Sequence, residues 1–232
     1  DDGSILIRPL TSFTEVAMHP LIKKHIPVLG EAVEQIGGPQ IRNIGTIGGN
    51  ICNGVTSADS ASTLKAYDAV LELTSLEGIR ILPYAAFNIS PGKVDLRPQE
   101  LLTGIRIPKT SWEHTYGHYI KYAMRKAMDI ATLGCSVNVR LAQDKQHVDR
   151  LRIAFGVAAP IPVRAVSVES KASGMKVDEQ LISFVSKNVL EDVMPRSSWR
   201  ASKEFRLHLI QEMTRRALIA AIEKAGGKLN GN

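Results

Sequence analysis

Cysteine is scarce in this sequence: its 232 residues include only Cys52 and Cys135, far apart and in no C-x-x-C spacing. Two thiolates cannot supply the four ligands of an iron–sulfur cluster or a structural zinc site. An isolated pair in a chain this long fits a reducing, cytosolic setting better than a disulfide framework. Aromatic residues are also few, at 5%, so a stacking platform for single-stranded nucleic acid would have few rings to use. No apolar run approaches the roughly 18 residues of a membrane-spanning helix. Neither end shows a charged segment leading into an apolar core. The expectation is a soluble, cytoplasmic protein that binds no nucleic acid and no membrane.

Concentrated charge is missing too. The net charge of +6 comes from 29 basic and 23 acidic residues spread along the chain, without the Lys/Arg run of a phosphate-backbone binder. A slightly basic, solvated surface is the plain reading; a face for an acidic partner subunit or a dinucleotide is the alternative. What remains is ordinary globular material, 44% hydrophobic and 22% charged, which excludes disorder of the bulk. The length suits two domains of about 100 to 150 residues.

Residues 11–38 read as helical, broken at His19-Pro20. Pro27 fits a first turn, and Val28, Leu29, Ala32, Val33 and Ile36 fall on one stripe. The stretch 40–60 is too glycine-rich for a regular helix and too apolar for a floppy linker. A short helix is expected over 61–67, then a hairpin of 69–74 and 79–82 around Glu77-Gly78. Residues 101–107 alternate as a strand, with Leu102, Gly104 and Arg106 on one face. Pro108 ends it, and the polar stretch 109–115 is the expected domain boundary. Strands follow at 117–125, 133–142 and 147–157, then helices at 178–190 and 202–225. Strands first and helices after, with no βαβ rhythm, predict an α+β fold.

The most informative stretch is IRNIGTIGGNICNG, residues 41–54. Closely spaced glycines let the backbone take positive φ and approach a bulky ligand, and successive N–H groups could form a nest for an anion or carbonyl. Thr46 and Asn50 add a hydroxyl and an amide, and the isoleucines would anchor the segment in the core. The spacing is neither G-x-G-x-x-G nor a P-loop, and a tight structural turn would read similarly.

IRNIGTIGGNICNGVTSADSA resembles the second flavin-contacting segment of the FAD subunits of molybdenum hydroxylases, a family that includes xanthine dehydrogenase and carbon monoxide dehydrogenase. LLTGIRIP, YIKYAMRKAMDIA and RASKEFR extend the resemblance in order over nearly the whole chain. It implies the second subdomain of a PCMH-type FAD-binding domain over residues 1–110, then a C-terminal α+β domain of the carbon monoxide dehydrogenase flavoprotein type over 115–227. It implies that Thr46, Ile47, Gly48, Gly49 and Asn50 wrap the ribityl and pyrophosphate region of FAD. Asp59 matches an acid near the flavin, with a helix N-cap before Ser60-Ala61-Ser62 as the lesser alternative. Leu102 matches a residue touching the flavin edge, with Gly104 leaving room for a flat ring. Lys121 matches a lysine near the isoalloxazine, where a cation would favour reduced, anionic flavin. By themselves, Leu102 reads as core and Lys121 as a solvated strand residue. His114 and His118 lie in a turn-prone stretch without a supporting acid or cysteine set, so no metal site is expected.

The sequence departs from the family in one respect. Members carry a glycine-rich loop of the A-G-G-T-D-L kind that holds the FAD pyrophosphate, and no equivalent occurs here; Gly37-Gly38-Pro39 lacks the hydroxyl and the acid. The expectation is that the FAD crevice is half built and that this chain alone binds FAD weakly or not at all. The function the resemblance implies is electron relay in a xanthine dehydrogenase-like complex. There, a molybdenum-cofactor subunit and a subunit with 2Fe-2S clusters would deliver electrons through FAD to NAD. A related hydroxylase with another substrate, and a flavin-free docking module of such a complex, are the alternatives.

Overall fold

Prolines and polar caps set the opening of the chain, which a computed structural model describes over residues 2–229. After strand β1 (Ile5–Ile7), Ser12 begins α1 (Phe13–Met18) with a capping box. The Ser12 hydroxyl accepts the Glu15 N–H at 3.2 Å and the Glu15 carboxylate accepts the Ser12 N–H at 2.7 Å. Pro20 and Pro27 each take a first-turn position, so the expected broken helix is three helices, with α2 (Pro20–His25) and α3 (Pro27–Glu34) following α1. A proline has no N–H to continue an existing helix but suits the start of a new one. α3 buries Val28, Leu29, Ala32 and Val33.

The glycine-rich stretch does contain helix, contrary to the sequence reading. Pro39 starts α4 (Pro39–Ile44) and Thr46 caps α5 (Ile47–Cys52). Ile47 and Ile51, one turn apart, are buried, and each contributes about 1.5–3 kcal/mol of apolar burial. Tertiary packing here overrides the weak helix propensity of glycine. Ile41 and Ile44 do not anchor anything; Ile44 is 82% exposed. Next, α6 (Asp59–Ala66) is buried along its whole length.

The hairpin of β2 (Val70–Ser75) and β3 (Gly78–Pro83) forms as the turn chemistry requires. A helical turn α7 (Tyr84–Phe87) and a small ribbon of β4 (Asn88–Ser90) and β5 (Lys93–Val94) lead to β6 (Leu101–Ile107). The first sheet is antiparallel in the order β1-β6-β2-β3. Its core gathers Ile5, Ile7, Leu71, Leu73 and Ile105 with Leu29, Leu64 and Tyr67 from the helices.

The turn α8 (Lys109–Trp112) leads into the second sheet: β7 (Tyr116–Tyr122), β8 (Leu133–Leu141), β9 (Val148–Gly156) and β10 (Val163–Arg164), antiparallel in the order β10-β9-β8-β7. α9 (Val166–Ala172), for which the sequence reading had no counterpart, precedes α10 (Glu179–Asn188) and α11 (Lys203–Lys224). Leu133, Cys135, Val137 and Val139 of β8 pack with α10 and α11, while α6 covers the other face. That two-sided cover explains why β8 is buried almost throughout. The fold is α+β, and α3 and α6 of the first half lie directly against strands of the second.

Candidate functional site

The segment 46–50 is held more tightly than an open nest. The Ile47 N–H donates to Thr11 O at 3.0 Å and the Gly48 N–H to Pro9 O at 2.8 Å. Gly49 donates to the Thr46 hydroxyl at 3.2 Å and Asn50 to Thr46 O at 3.0 Å. All four donors are therefore spent within the protein. The glycines work by close approach instead. A Cβ on Gly48 would stand 2.4 Å from Pro9 Cβ, whereas one on Gly49 would meet only the Thr46 hydroxyl, at 3.1 Å. Gly48 is fixed by packing, and Gly49 leaves a bare backbone face beside open space.

That space is a concavity of about 660 Å³, lined by Thr46, Gly48, Gly49, Cys52 and Leu102 and rimmed by Leu10 and Leu101. Leu10 is 82% and Leu101 71% exposed, so the surface is apolar and uncovered in this chain. Its size lies within the range of small-molecule and cofactor clefts. Ile47 is fully buried and can offer a ligand only its backbone.

A β-bulge sets Leu102. Glu72 pairs with Gly104 and Leu73 with Leu102, leaving Thr103 as the extra residue. The strand's alternation therefore slips: Leu102 shares the face of Ile105 and packs partly on the core, while Gly104 turns to the other face with Glu72. A Cβ at Gly104 would lie 2.4 Å from the Glu72 carboxylate. That carboxylate holds Arg106 Nε at 3.0 Å. Gly104 thus makes room for an ion pair, not for a flat ring, which corrects the sequence reading.

Asp59 and Lys121, 62 positions apart, meet in a buried pair. Lys121 Nζ lies 2.8 Å from Asp59 Oδ2, and the two side chains are 6% and 7% exposed. Tyr119 donates its hydroxyl to Asp59 Oδ1 at 2.8 Å, and Lys121 also donates to Gln35 O at 2.9 Å. Burial pushes the Asp59 carboxyl up, against the Lys121 charge and the hydrogen bonds of Lys121 and Tyr119. Burial, then the Asp59 charge, lifts the Tyr119 phenol far above its usual range. Asp59 is not an N-cap: Ala58 holds that position and makes no side-chain cap. Lys121 is not a free cation either, because Asp59 neutralises it.

The eight expected residues fall in three adjoining places. Thr46, Gly48, Gly49 and Leu102 line the apolar concavity, with Ile47 beneath them. Asn50 and Asp59 line a groove of about 590 Å³. Lys121 borders a smaller recess of about 260 Å³ against residues 122–127 and Asp129. Asn50 Oδ1 accepts the Ser60 hydroxyl at 2.7 Å, which turns its amide N–H₂ out as a donor. Ser60 and Tyr119 were missed by the sequence reading; Tyr119 was signalled by its place two residues from Lys121 on the same strand face. His118 bonds Glu31 at 2.9 Å, and no cluster of metal-ligating side chains occurs among the described residues.

The comparisons with known proteins agree with this architecture. The sequence profile of the FAD binding domain in molybdopterin dehydrogenase matches residues 1–110, and that of the CO dehydrogenase flavoprotein C-terminal domain matches residues 118–221. A xanthine dehydrogenase FAD-binding subunit of Escherichia coli O157:H7 is 48% identical over 229 residues, covering 99% of this chain and 78% of that protein. The chain belongs to the FAD-binding subunits of xanthine dehydrogenase-like molybdenum hydroxylases. Within this family, the glyceraldehyde dehydrogenase medium chain of Sulfolobus acidocaldarius is 28% identical over 93% of this chain and 75% of its own length. The solved carbon monoxide dehydrogenase of Hydrogenophaga pseudoflava superposes with a TM-score of 0.89 at 27% identity, covering 95% of this chain and 76% of that one. The cofactor of the family is FAD.

Proposed function

We propose that this chain is the electron-relay subunit of a xanthine dehydrogenase-like complex, holding FAD between iron–sulfur clusters of one partner subunit and NAD⁺ in solution. Hydroxylation would take place at a molybdenum cofactor on another partner. The apolar concavity beside Gly48, Gly49 and Leu102 carries the reading: it is cofactor-sized and uncovered, and Asn50, next in the chain to Gly49, lines the groove that Asp59 borders. The cysteine count is consistent, since Cys52 and Cys135 cannot ligate a cluster and the clusters must sit elsewhere.

Bound FAD would supply two-electron exchange with NAD⁺ and one-electron exchange with the clusters. In this reading the chain's residues position and tune. The bare backbone at Gly49 and the Thr46 side would admit the ribityl and phosphate chain, the Asn50 amide would donate to the cofactor, and Leu102 would cover the ring edge. Lys121, Asp59 and Tyr119 form a neutral, water-poor group whose dipole, rather than a lone positive charge, would act on the ring. No helix among the described residues is long and apolar enough to cross a membrane, in keeping with a cytoplasmic complex.

One measurement tests this. The chain co-expressed with its partner subunits should show a flavin spectrum that bleaches with xanthine and recovers with NAD⁺. A colourless chain in a complex that contains clusters would overturn the relay and leave a docking module. Bleaching by another substrate only would keep the relay and change the complex, a second reading favoured by the aldehyde- and carbon monoxide-oxidising relatives.

A further inference from the structure

The first turn of α6 carries two adjacent side chains that reach in different directions. Asp59 holds Tyr119 and Lys121 of β7. Ser60 reaches back to α5, where its hydroxyl donates to Asn50 Oδ1 at 2.7 Å. Ser60 is fully buried, and its hydroxyl makes no other hydrogen bond among the described residues. α6 begins without a side-chain cap, so neither side chain is spent on the helix's own N–H groups. The Ser60 hydroxyl is committed to Asn50.

A hydroxyl has one proton to give, whereas a primary amide has an oxygen that accepts and a nitrogen that donates twice. Reversing the Asn50 amide would set an N–H against the Ser60 oxygen and leave the hydroxyl proton, sealed from solvent, without an acceptor. A buried donor without an acceptor is costly, so the amide is held one way round. Its base is fixed as well, because the Asn50 N–H donates to Thr46 O at 3.0 Å. Asn50 lines the groove of about 590 Å³ that Asp59 also lines. With the amide oxygen turned in to Ser60, the two N–H bonds are what Asn50 offers to that groove.

We propose that Ser60 is a positioning residue of the flavin site: it fixes the Asn50 amide as a donor, so that the site accepts an oxygen acceptor of the cofactor at that point and rejects a donor. An amide free to turn could meet either kind of group, and a fixed one discriminates between them. The first turn of α6 would then set both polar groups of the site, Lys121 through Asp59 and Asn50 through Ser60. This inference rests on the reading of the groove as the flavin site.

The test uses the chain co-expressed with its partner subunits, stripped of flavin and titrated with FAD, with flavin fluorescence reporting the bound fraction. Ser60→Ala, which frees the amide to turn, should weaken FAD binding at least about tenfold, and Asn50→Ala should weaken it to a similar extent. Adding Ser60→Ala to Asn50→Ala should then change nothing further, because Ser60 acts only through the amide. Ser60→Thr keeps the hydroxyl and should recover most of the affinity. FAD affinity that is unchanged in Ser60→Ala but impaired in Asn50→Ala overturns the proposal and leaves the flavin site standing. Losses that add across the two positions also overturn it, since Ser60 would then act on the fold rather than through Asn50. FAD affinity unchanged in Asn50→Ala removes the Asn50 contact itself, and with it both the proposal and the reading of the groove on which it rests.

Discussion

Two carboxylates cross from the first half of the molecule to the same strand of the second, and their environments drive them in opposite directions. Asp59 on α6 reaches Tyr119 and Lys121 of β7 in a dry junction. Glu31 on α3 reaches His118 and the Tyr119 N–H of β7, at 2.9 and 3.0 Å, and Lys224 of α11 at 2.7 Å. The Glu31 side chain is 30% exposed and its partners are 34% and 40% exposed. Burial raises the carboxyl in both places. For Asp59, burial prevails. For Glu31, the hydrogen bonds of His118, Lys224 and Tyr119, with the Lys224 charge, outweigh burial and leave it at about 2. Water access, more than the number of partners, separates a carboxylate that stabilises the junction from one whose ionisation is costly.

The sharpest way to break this contrast is Lys121→Met. It strands Asp59 beside an apolar chain with only Tyr119 to bond, and removing one member of a buried pair costs about 3–5 kcal/mol. Denaturant unfolding at neutral pH should show that loss, and Asp59→Leu added to Lys121→Met should restore most of it. A cost below about 1 kcal/mol for Lys121→Met would mean that the junction is wet.

How much of this could be read beforehand follows from the range of each interaction. Local chemistry was legible: the Glu77-Gly78 hairpin, the proline restarts and the strand pattern of the second sheet depend on residues a few positions apart. The segment 46–50 stood out for its glycines, but their purpose did not, because Pro9 and Thr11, which consume its N–H groups, belong to another segment. Lys121 and Asp59 were each visible but not their pairing, and neutralisation by a partner 62 residues away has no local signature. The bulge at Thr103 hid the facing of Leu102 and Gly104, because a one-residue slip reverses alternation.

A smaller effect sharpens the contrast from the wetter side. The ordinary value for Glu31 is 4.5 and the folded value about 2. A carboxyl depressed on folding contributes stability above its unfolded value and loses it as pH falls through the folded one. The Glu31→Gln variant should therefore cost about 2 kcal/mol at pH 7, less than the full shift implies because the group is partly solvated. Its deficit should shrink between pH 4.5 and about 2 and close below that. A deficit independent of pH across this window would show that Glu31 acts through packing rather than charge.

A further crossing between the halves carries no charge and tests whether the junction tolerates strain where it lacks ion pairs. The Val157 N–H donates to Thr56 O at 3.1 Å and to its hydroxyl at 3.2 Å, which holds Val157 at a φ of +65°. A β-branched residue in the left-handed region is costly, by about 1–2 kcal/mol for an L-residue. Comparing Val157→Gly with Val157→Ala isolates that cost, because both remove the isopropyl group and only glycine relieves the backbone. Glycine's greater freedom when unfolded takes back about 0.5–1 kcal/mol. The glycine variant should then be more stable than the alanine variant by about 0.5–1 kcal/mol, a difference of about 1–4 °C in melting temperature for a chain of this size. If the two melt together, the Thr56 bonds do not hold this backbone in its left-handed state in solution. The neutral crossing would then be adaptable, in contrast to the charged ones at Asp59 and Glu31.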